Sequence, residues 1–556
     1  MNMKEKIRIV AVLLVLAMLF MFAASCGSDK TDNPSSTNPS GAAPTANPSN
    51  PSTAAPNQTP GNSDNTDTEA QPPEDAPKYG GVYRYAVPNE PSALFLPYRS
   101  MNGYEWITPV IESLCWRHPE TYEFHPLLAE SWTQDDKVVT FKLKKGIHFT
   151  DGSELTADVV AWNFELAMEN GNGASFYNPV FNRIDDYTLE VVFDQFYLNA
   201  VGVLATRPIY SKKAYEDNGL DWCLVNLVGT GPFVLKEYVQ GSRIVFERND
   251  NYWQAGLPYL DGWEILLIPE AATQMAAFTS DEIMRFTTSD AGIAASITAL
   301  GYEDVSVQTY DSGWFTSLLP SNRDPDSPWA KKEVRQAVLL YGIDYNELAL
   351  LANGPMANVY HQCGFEGSLF YDPDIEKAYV YDLEKAKQML ADAGYPDGFT
   401  TTLSGIPANV SVMTALQDIL KRLNITCNVV ETNPTDPARY DGSLRGLVVS
   451  NGASAWDATT GGGALVALRS TAKAHASHID FTQNPDYGRL IDEASKARTY
   501  DERAEAAGQA QRILFLDEAF AAIAYFNGGA AFRQPYVRGE LMEYNTFSPR
   551  DTWFDK

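Results

Sequence analysis

The most regular pattern of apolar and polar positions lies between residues 382 and 430. Asp382 is a candidate N-cap, apolar residues follow it at helical spacing, and Gly394 ends that pattern. An apolar stretch through Leu403, a helical pattern over 412–423 and an alternating stretch over 425–430 come next. Strand, helix and strand within about thirty residues are typical of a βαβ unit. The sequence therefore predicts the α/β class with at least partly parallel strands.

Shorter patterns occur on both sides of this unit. Residues 138–144 alternate between apolar and polar, which predicts a half-buried strand. Thr156 is a second candidate N-cap, for a helix that runs towards Met168. A helix over about 501–516 is predicted before an apolar strand near 519–526. No repeat at a fixed solenoid period is visible in the sequence.

The first residues carry the pattern of an export signal. Basic residues within 4–8 precede an apolar run over 9–24, shorter than the roughly 20 residues of a membrane-spanning helix. This order predicts a secretory signal over 1–25. The small residues before Cys26 resemble a bacterial lipobox, with Ala23 where a leucine is usual. The resemblance implies that Cys26 is diacylated, and two acyl chains anchor a protein stably. The alternative is an ordinary cleaved signal followed by an incidental cysteine.

Residues 26–78 form a segment of different composition. After Cys26 they are mostly Asn, Pro, Ser, Thr, Ala and Asp, with no Val, Ile, Leu, Met or aromatic residue. Such a segment buries too little apolar surface to offset the entropy of ordering, so we predict a disordered tether. As a flexible coil it would reach about 40 Å. A glycosylated stalk is the alternative that its Ser, Thr and Pro content also permits.

The remaining chain, 79–556, is too long for one compact core and predicts two or three lobes. The formal net charge of the whole protein is −29, and most of it falls on this part. A surface this acidic argues against nucleic acid and anionic lipid headgroups as partners, because both bind to positive patches. Cationic and neutral solutes remain possible ligands.

The cysteines beyond Cys26 are widely spaced, at Cys115, Cys223, Cys363 and Cys427. In an exported protein they allow two disulfides in three possible pairings, and buried free thiols are the alternative. No Cys-x-x-Cys spacing occurs, which argues against a zinc ribbon or a thioredoxin-type site.

The sequence offers no convincing catalytic set. No Gly-Lys dipeptide is present, so the chain has no Walker A loop, and no His-Glu dipeptide is present, which excludes an HExxH metal site. The segment around Ser454 approaches a nucleophile elbow but lacks its closing glycine. His475 and His478 have helical spacing, yet their polar flanks favour an exposed surface over a metal site. We therefore expect a binding module without catalytic residues, cofactor or metal.

Four groups of segments resemble the family 5 extracellular solute-binding proteins of ABC importers, the oligopeptide- and dipeptide-binding group. Together they span most of the chain from about residue 78 to its C-terminal end. Each segment alone is weak evidence for the family. All four in the family's order and spacing are strong evidence for it. The segments are PLLAESW (126–132) with TFKLKKG (140–146), FTDG (149–152) and TADV (156–159); GTGPF (229–233) with ERNDNYW (247–253); VRQAV (334–338) with GID (342–344); and YDLEKAK (381–387) with AGYPDG (393–398).

The resemblance implies an α/β fold of two lobes, of the type II periplasmic-binding-protein kind, with an extra subdomain inserted in lobe one. Lobe one would cover 79–310 with the insert over about 110–210, lobe two would cover 311–528, and 529–556 would return to lobe one. The lobes would close over a ligand and the closed form would dock on a membrane permease. We expect a monomer at the outer face of the bacterial cytoplasmic membrane. A surface receptor for a peptide signal is the alternative role.

The resemblance also proposes ligand contacts. In peptide-binding members, a loop of lobe two carries a tryptophan near an aspartate that pairs with the peptide ammonium, and Trp456 and Asp457 match it. If Asp457 instead matches an aspartate that follows that loop, Ser454 stands nearby and the ammonium has no partner. An unpaired buried ammonium is costly, so that arrangement would favour an oligosaccharide over a short peptide. The further candidates for the wall of the cleft are Asn451, Tyr525, Phe526, Trp314 and Tyr85.

Overall fold

The computed structural model describes residues 76–91, 93–95, 104–118, 123–172, 179–303, 314–363, 371–433, 436–439, 441–453, 478–539, 542–543, 546–547 and 549–556. The predicted signal, Cys26 and nearly all of the predicted tether lie outside these residues. No helix in the described ranges is long and apolar enough to cross a membrane.

The strands of the described ranges are, in chain order, β1 (Val82–Val87), β2 (Cys115–Arg117), β3 (Phe124–Pro126), β4 (Ala129–Asp135), β5 (Val138–Leu143), β6 (Val180–Asp185), β7 (Thr188–Val192), β8 (Phe233–Val239), β9 (Arg243–Arg248), β10 (Gly262–Leu267), β11 (Arg285–Thr288), β12 (Trp314–Pro320), β13 (Thr400–Gly405), β14 (Thr426–Glu431), β15 (Leu447–Ala453), β16 (Ala522–Phe526), β17 (Ala530–Arg533), β18 (Val537–Arg538), β19 (Met542–Glu543), β20 (Thr546–Phe547) and β21 (Trp553–Phe554).

The helices of the same ranges are α1 (Ala157–Ala167), α2 (Ala200–Ala205), α3 (Lys212–Asn218), α4 (Leu220–Cys223), α5 (Ala271–Thr279), α6 (Ala291–Ala299), α7 (Lys332–Gln336), α8 (Tyr345–Asn353), α9 (Pro373–Ala378), α10 (Leu383–Asp392), α11 (Val410–Lys421), α12 (Pro485–Lys496) and α13 (Tyr500–Arg512). Helix α7 continues as π-helical turns over Ala337–Gly342, and α13 does so over Ile513–Asp517.

The first large sheet has six strands in the order β17-β11-β1-β10-β9-β8. Strand β1 is parallel to both β10 and β11, and β17 joins β11 in antiparallel pairing. Aromatic side chains fill its core, where the rings of Tyr83 and Trp263 stack with centroids 4.2 Å apart. A strand from the C-terminal end of the chain therefore completes a sheet that the N-terminal part begins.

The second large sheet has five strands in the order β14-β13-β15-β12-β16. Strands β13 and β14 are parallel and joined by α11, so the predicted βαβ unit is confirmed. Asp382 caps α10 as predicted, because its side chain accepts a hydrogen bond from the Lys385 amide. Helix α11 buries Leu416 and Leu420 in the core that covers this sheet. The α/β class is confirmed.

A smaller antiparallel sheet of four strands, β4-β5-β7-β6, has a core of its own. The strand predicted over 138–144 is β5, with Val139, Phe141 and Leu143 buried. Thr156 caps α1, whose apolar face packs on the same core. Alternation along the chain identified this strand because one of its faces is buried and the other is not.

All four described cysteines, Cys115, Cys223, Cys363 and Cys427, are buried free thiols. Their spacing left two disulfides or buried free thiols as alternatives, and the structure favours free thiols. Burial raises the pKa of Cys223 and of Cys427 to about 11, which keeps both thiols protonated at neutral pH.

Candidate ligand-binding site

The carboxyl ends of parallel strands meet at one edge of the second large sheet. Strands β13, β14, β15 and β16 all end there, and β12 begins there. Pairing places Thr316 of β12 opposite Asn451 of β15 on one side and Tyr525 of β16 on the other. Open α/β sheets bind ligands at the carboxyl ends of their strands. This row of three polar side chains is therefore the candidate site of the second sheet.

Helix α11 adds a fourth polar residue to that edge. Asn409 directly precedes α11 and is 1% exposed. Its Nδ2 donates to Oδ1 of Asn451 at 2.7 Å, and the Thr316 hydroxyl lies 3.5 Å from the same oxygen. Thr316 also pairs with Tyr525 on the neighbouring strand. Asn409, Asn451, Thr316 and Tyr525, here called the amide row, are therefore neighbours at one edge of the sheet.

Within the amide row only Asn451 is exposed, while Thr316 and Tyr525 are each 3% exposed. Burial raises the pKa of the Tyr525 hydroxyl, so it stays neutral and can act as a hydrogen-bond partner at neutral pH. The amide row carries no formal charge. It can therefore recognise polar uncharged groups, such as backbone amides or hydroxyls.

The structure brings together two of the residues predicted from sequence, Asn451 and Tyr525. Phe526 does not share the core of Tyr525. It packs in a separate core of the same sheet, where its ring lies 5.5 Å from that of Phe315. Trp314 begins β12 at the same edge, opposite Ala453. Ser454, Trp456 and Asp457 lie outside the described residues, and in sequence they follow directly after β15.

Tyr85 belongs to the other large sheet. Its ring is 4% exposed and meets Trp263 edge to face at 6.1 Å, and its hydroxyl donates to the Glu105 carbonyl at 2.7 Å. Burial raises its pKa well above the usual range. These contacts describe a core tyrosine whose hydroxyl already has a partner inside the protein.

The two large sheets are joined where their carboxyl edges meet. Residues 527–529 lead from the end of β16 to the start of β17, and Ala530 of β17 pairs with Thr288 at the carboxyl end of β11. Four residue steps span at most about 14 Å, so this crossing keeps the two edges close together. Asn358 holds the start of the crossing through two backbone hydrogen bonds with Phe526, of 2.7 and 3.0 Å.

A glycine is required within this crossing. A Cβ at Gly528 would lie 1.7 Å from the Met356 carbonyl oxygen, and one at Gly529 would lie 3.2 Å from that of Thr288. Met356 packs in turn against the core on the first sheet. At the crossing, the backbone of 528–529 therefore passes close to the backbone at Met356 and at Thr288.

Two of the sequence segments that resemble the family meet at a buried carboxylate. Glu112 is 7% exposed and accepts hydrogen bonds from the Thr230 hydroxyl at 2.8 Å, the Tyr252 hydroxyl at 2.7 Å and the Trp253 indole at 2.9 Å. Burial raises the pKa of Glu112, while these three donors lower it. A Cβ at Gly229 would lie 2.0 Å from the Val110 carbonyl. These contacts hold the two segments together and involve no residue of the amide row.

Other candidate chemistry is not assembled. Among the residues that the structure describes, no group of three His, Cys, Asp or Glu side chains could hold a metal ion. His478 is buried, 1% exposed, whereas its sequence flanks predicted an exposed surface. His475 lies outside the described residues.

Sequence reasoning missed Asn409 and Thr316. Thr316 lies only two residues after Trp314, and Asn409 lies between the strand predicted through Leu403 and the helix predicted over 412–423. Polar residues near the carboxyl ends of predicted parallel strands could have indicated the binding edge of the sheet. They could not have indicated which strands are neighbours in it.

Two α/β bodies, linked at their carboxyl edges by the short crossing at 527–529, have the architecture of a two-lobed solute-binding protein of the type II periplasmic-binding kind. The model of the bacterial extracellular solute-binding proteins, family 5, matches residues 123–468, more than half of the chain. The chain belongs to this family. The family and the two-lobed fold predicted from the sequence are confirmed.

Curated relatives are similar over different shares of their length. Heme-binding protein A of Haemophilus influenzae is 27% identical over 475 residues, 76% of this chain and 82% of that protein. The glutathione-binding protein GsiB of Escherichia coli is 28% identical over 293 residues, which span 50% of this chain and 54% of GsiB. The oligopeptide-binding protein AppA of Bacillus subtilis is 27% identical over 368 residues, 60% of this chain and 63% of AppA.

Solved structures share the fold at low sequence identity. The protein AppA from Clostridium difficile superposes with a TM-score of 0.73 at 19% identity, over 85% of this chain and 100% of its own. The periplasmic binding protein DppA from Helicobacter pylori, in complex with the peptide STSA, superposes with a TM-score of 0.68 at 20% identity, over 86% of this chain and 99% of its own.

Proposed function

We propose that this chain is the solute-binding lipoprotein of an ABC importer and that it captures short peptides between two closing lobes. Membership of the family 5 solute-binding proteins carries the proposal. Related structures contain the peptide STSA, a nonapeptide and the dipeptide Met-Leu, which supports a peptide ligand here. The captured peptide would then pass to a membrane permease, so this chain has no catalytic role of its own.

The two lobes would follow the boundaries 79–310 and 311–528, with 529–556 returning to lobe one. The separate cores of the two large sheets support this division. The pairing of β17 with β11 supports the return of the C-terminal segment. In this arrangement the insert over about 110–210 contains the small sheet β4-β5-β7-β6. The ligand lies between the carboxyl edges and the crossing at 527–529 acts as part of the hinge.

The amide row would contribute lobe two's contacts with the peptide. Peptide backbones present carbonyl and N–H groups at regular intervals, and the uncharged partners at Asn451, Thr316 and Tyr525 suit them. Asp457, with Trp456 and Ser454 beside it in sequence, would then pair with the peptide ammonium. A charged partner is needed there because an ammonium is costly to bury unpaired.

The anchor would be a diacylated Cys26 at the outer face of the cytoplasmic membrane, with residues 27–78 as a tether and the protein a monomer. Labelling of growing cells with an alkyne fatty acid tests the anchor. The wild type should incorporate the label and be released from membranes only by detergent. Cys26→Ser should remain unlabelled, and equal labelling of this variant would exclude acylation at Cys26.

A thermal-shift screen tests the ligand class. The full chain carrying Cys26→Ser would be screened against STSA, Met-Leu, glutathione, haem and neutral trisaccharides, each at millimolar concentration. Stabilisation by a ligand follows RT ln(1 + [L]/Kd), so a micromolar peptide should add about 4 kcal/mol. Stabilisation by trisaccharides or haem, with none by any peptide, would refute peptide capture while leaving solute binding intact.

A further inference from the structure

The hydrogen bonds of the amide row determine the orientation of the Asn451 side chain. A backbone N–H can only donate a hydrogen bond. The Ile406 amide donates to Asn409 at 3.2 Å, so the atom of Asn409 that faces Ile406 must be the oxygen Oδ1. The nitrogen Nδ2 of Asn409 consequently faces Asn451.

The orientation of the Asn409 side chain determines that of Asn451. Nδ2 of Asn409 is a donor and lies 2.7 Å from Asn451, so the atom it meets must be the oxygen Oδ1 of Asn451. The Thr316 hydroxyl approaches the same oxygen at 3.5 Å. Nδ2 of Asn451, with its two hydrogens, therefore points away from this network. Asn409 is 1% exposed and Asn451 is exposed, so the donor group lies on the open side of the pair.

We infer that Asn409 is a positioning residue that locks Asn451 as a hydrogen-bond donor, and that Asn451 binds a carbonyl oxygen of the ligand through Nδ2. This inference rests on the proposed function for the identity of the ligand, a peptide whose backbone carbonyl is the acceptor. Its structural part, the locked amide, stands on the described contacts alone.

The location supports a role in binding rather than in folding. Asn451 lies at the carboxyl edge of β15, in line with Thr316 and Tyr525 across three neighbouring strands. The crossing at 527–529 brings the carboxyl edge of the other large sheet towards this row. A donor at this place can meet a ligand that enters between the edges. A lone exposed amide would rotate freely, whereas this one is held by a buried partner.

Two isosteric variants test the inference in different ways. Asn451→Asp replaces the donor by an acceptor while keeping the oxygen that Asn409 and Thr316 contact. Asn409→Asp leaves residue 451 unchanged but presents an oxygen to it, so that the Asn451 amide must turn its Nδ2 inward and its Oδ1 outward. Asn428→Asp is the control, because it makes the same change of charge on the exposed face of β14.

The experiment is isothermal titration calorimetry of STSA, or of whichever panel peptide binds most tightly, into the full chain carrying Cys26→Ser. Loss of a donor opposite a desolvated carbonyl should weaken binding about 10- to 100-fold in both Asn451→Asp and Asn409→Asp. Asn428→Asp should bind within about twofold of the parent. Equal affinity of Asn451→Asp and the parent, or of Asn409→Asp and Asn428→Asp, would overturn the inference.

A second readout follows the amide itself and needs no ligand. Selective [15N]asparagine labelling identifies the Nδ2 protons of Asn451 as the pair of signals missing from Asn451→Asp. In the parent these protons should exchange rapidly with water, and in Asn409→Asp they should become protected. Protected protons in the ligand-free parent would refute the locked orientation. Failure of every peptide to bind the parent would instead refute the proposed function and, with it, the carbonyl as ligand.

Discussion

His361 should make the stability of the folded chain sensitive to acid. It is 6% exposed, its ring stacks on Tyr379 with centroids 3.9 Å apart, and its Nδ1 lies 3.1 Å from the Ile523 carbonyl. Because a carbonyl only accepts, Nδ1 carries the proton in the neutral ring. Burial lowers the pKa of His361 from 6.5 to about 4.

The sign and size of the effect follow from linkage. The unfolded chain takes up a proton near pH 6.5, whereas the folded protein resists it until about pH 4. The free energy of unfolding should therefore fall as the pH drops from 6.5 to 4. A shift from 6.5 to about 4 corresponds to about 3 kcal/mol. Above pH 6.5 this group contributes no pH dependence.

The assay compares the parent with His361→Asn in guanidinium chloride at several pH values between 4 and 7.5. Asparagine can keep a donor for Ile523 but cannot titrate. The variant should be less stable at pH 7.5, since it loses the stacking on Tyr379, and that deficit should shrink by about 3 kcal/mol towards pH 4. Glu376 accepts from the His361 backbone amide and its pKa is raised by burial, which acts in the opposite direction. Glu376 is present in both proteins, so its contribution largely cancels in the stability difference between them.

His148→Asn provides the control, because it makes the same substitution at an exposed histidine. At pH 7.5 it should lower the free energy of unfolding less than His361→Asn does, since an exposed ring loses little packing. A stability difference between the parent and His361→Asn that stays constant from pH 4 to 7.5 would refute the assignment of His361 as a buried neutral ring.

Three further results are expected. Gly528→Ala should lower the stability of the chain by about 2 kcal/mol in thermal unfolding, because its Cβ would lie 1.7 Å from the Met356 carbonyl. Arg498→Ala should weaken peptide binding about two- to fivefold in calorimetry, because Arg498 pairs with Asp136 at 2.5 Å and, with the proposed lobe boundaries, this pair would link lobe two to lobe one and favour the closed form. Glu112→Gln should cost about 1–3 kcal/mol in chemical unfolding, since one of its three donors loses its acceptor.

Each of these has a matched control. Gly488 lies in α12, and a Cβ added there would meet no neighbouring atom within 4 Å outside the helix's own backbone. Gly488→Ala should therefore raise the free energy of unfolding slightly, because alanine favours helices. The Arg498 effect should fade in 0.5 M salt, and Asp136→Ala should reproduce it without adding to it in the double variant. Glu154 provides a comparison for Glu112, because it is only half-buried and its carboxylate accepts a hydrogen bond from the Tyr187 hydroxyl at 2.6 Å. If Glu112→Gln lowered the free energy of unfolding no more than Glu154→Gln does, the role of Glu112 as a buried acceptor would be contradicted.

Local patterns predicted the elements well, and this has a physical cause. The cap at Asp382 and the unit β13–α11–β14 depend on residues close in sequence, so periodicity and capping identify them. The alternation over 425–430 holds only in part. Ile425 and Cys427 are buried, but Val429 is 46% exposed, because β14 is the edge strand of its sheet.

The candidate site was less predictable because it depends on which strands are neighbours. Thr316 and Asn451 are 135 positions apart and meet only through the pairing of β12 with β15. Asn409 joins them because α11 packs above β13 and starts at the same edge. The roles of Glu112 and of Gly229 were invisible for the same reason, since each acts on a residue distant in sequence.

The central claim is that a peptide binds between two facing strand edges, and a crystal structure of the chain with a panel peptide tests it most directly. The account predicts a peptide between the two large sheets, with one backbone carbonyl within about 3 Å of Nδ2 of Asn451. A peptide bound elsewhere on the chain, or at this edge without contact to Asn451, would contradict it.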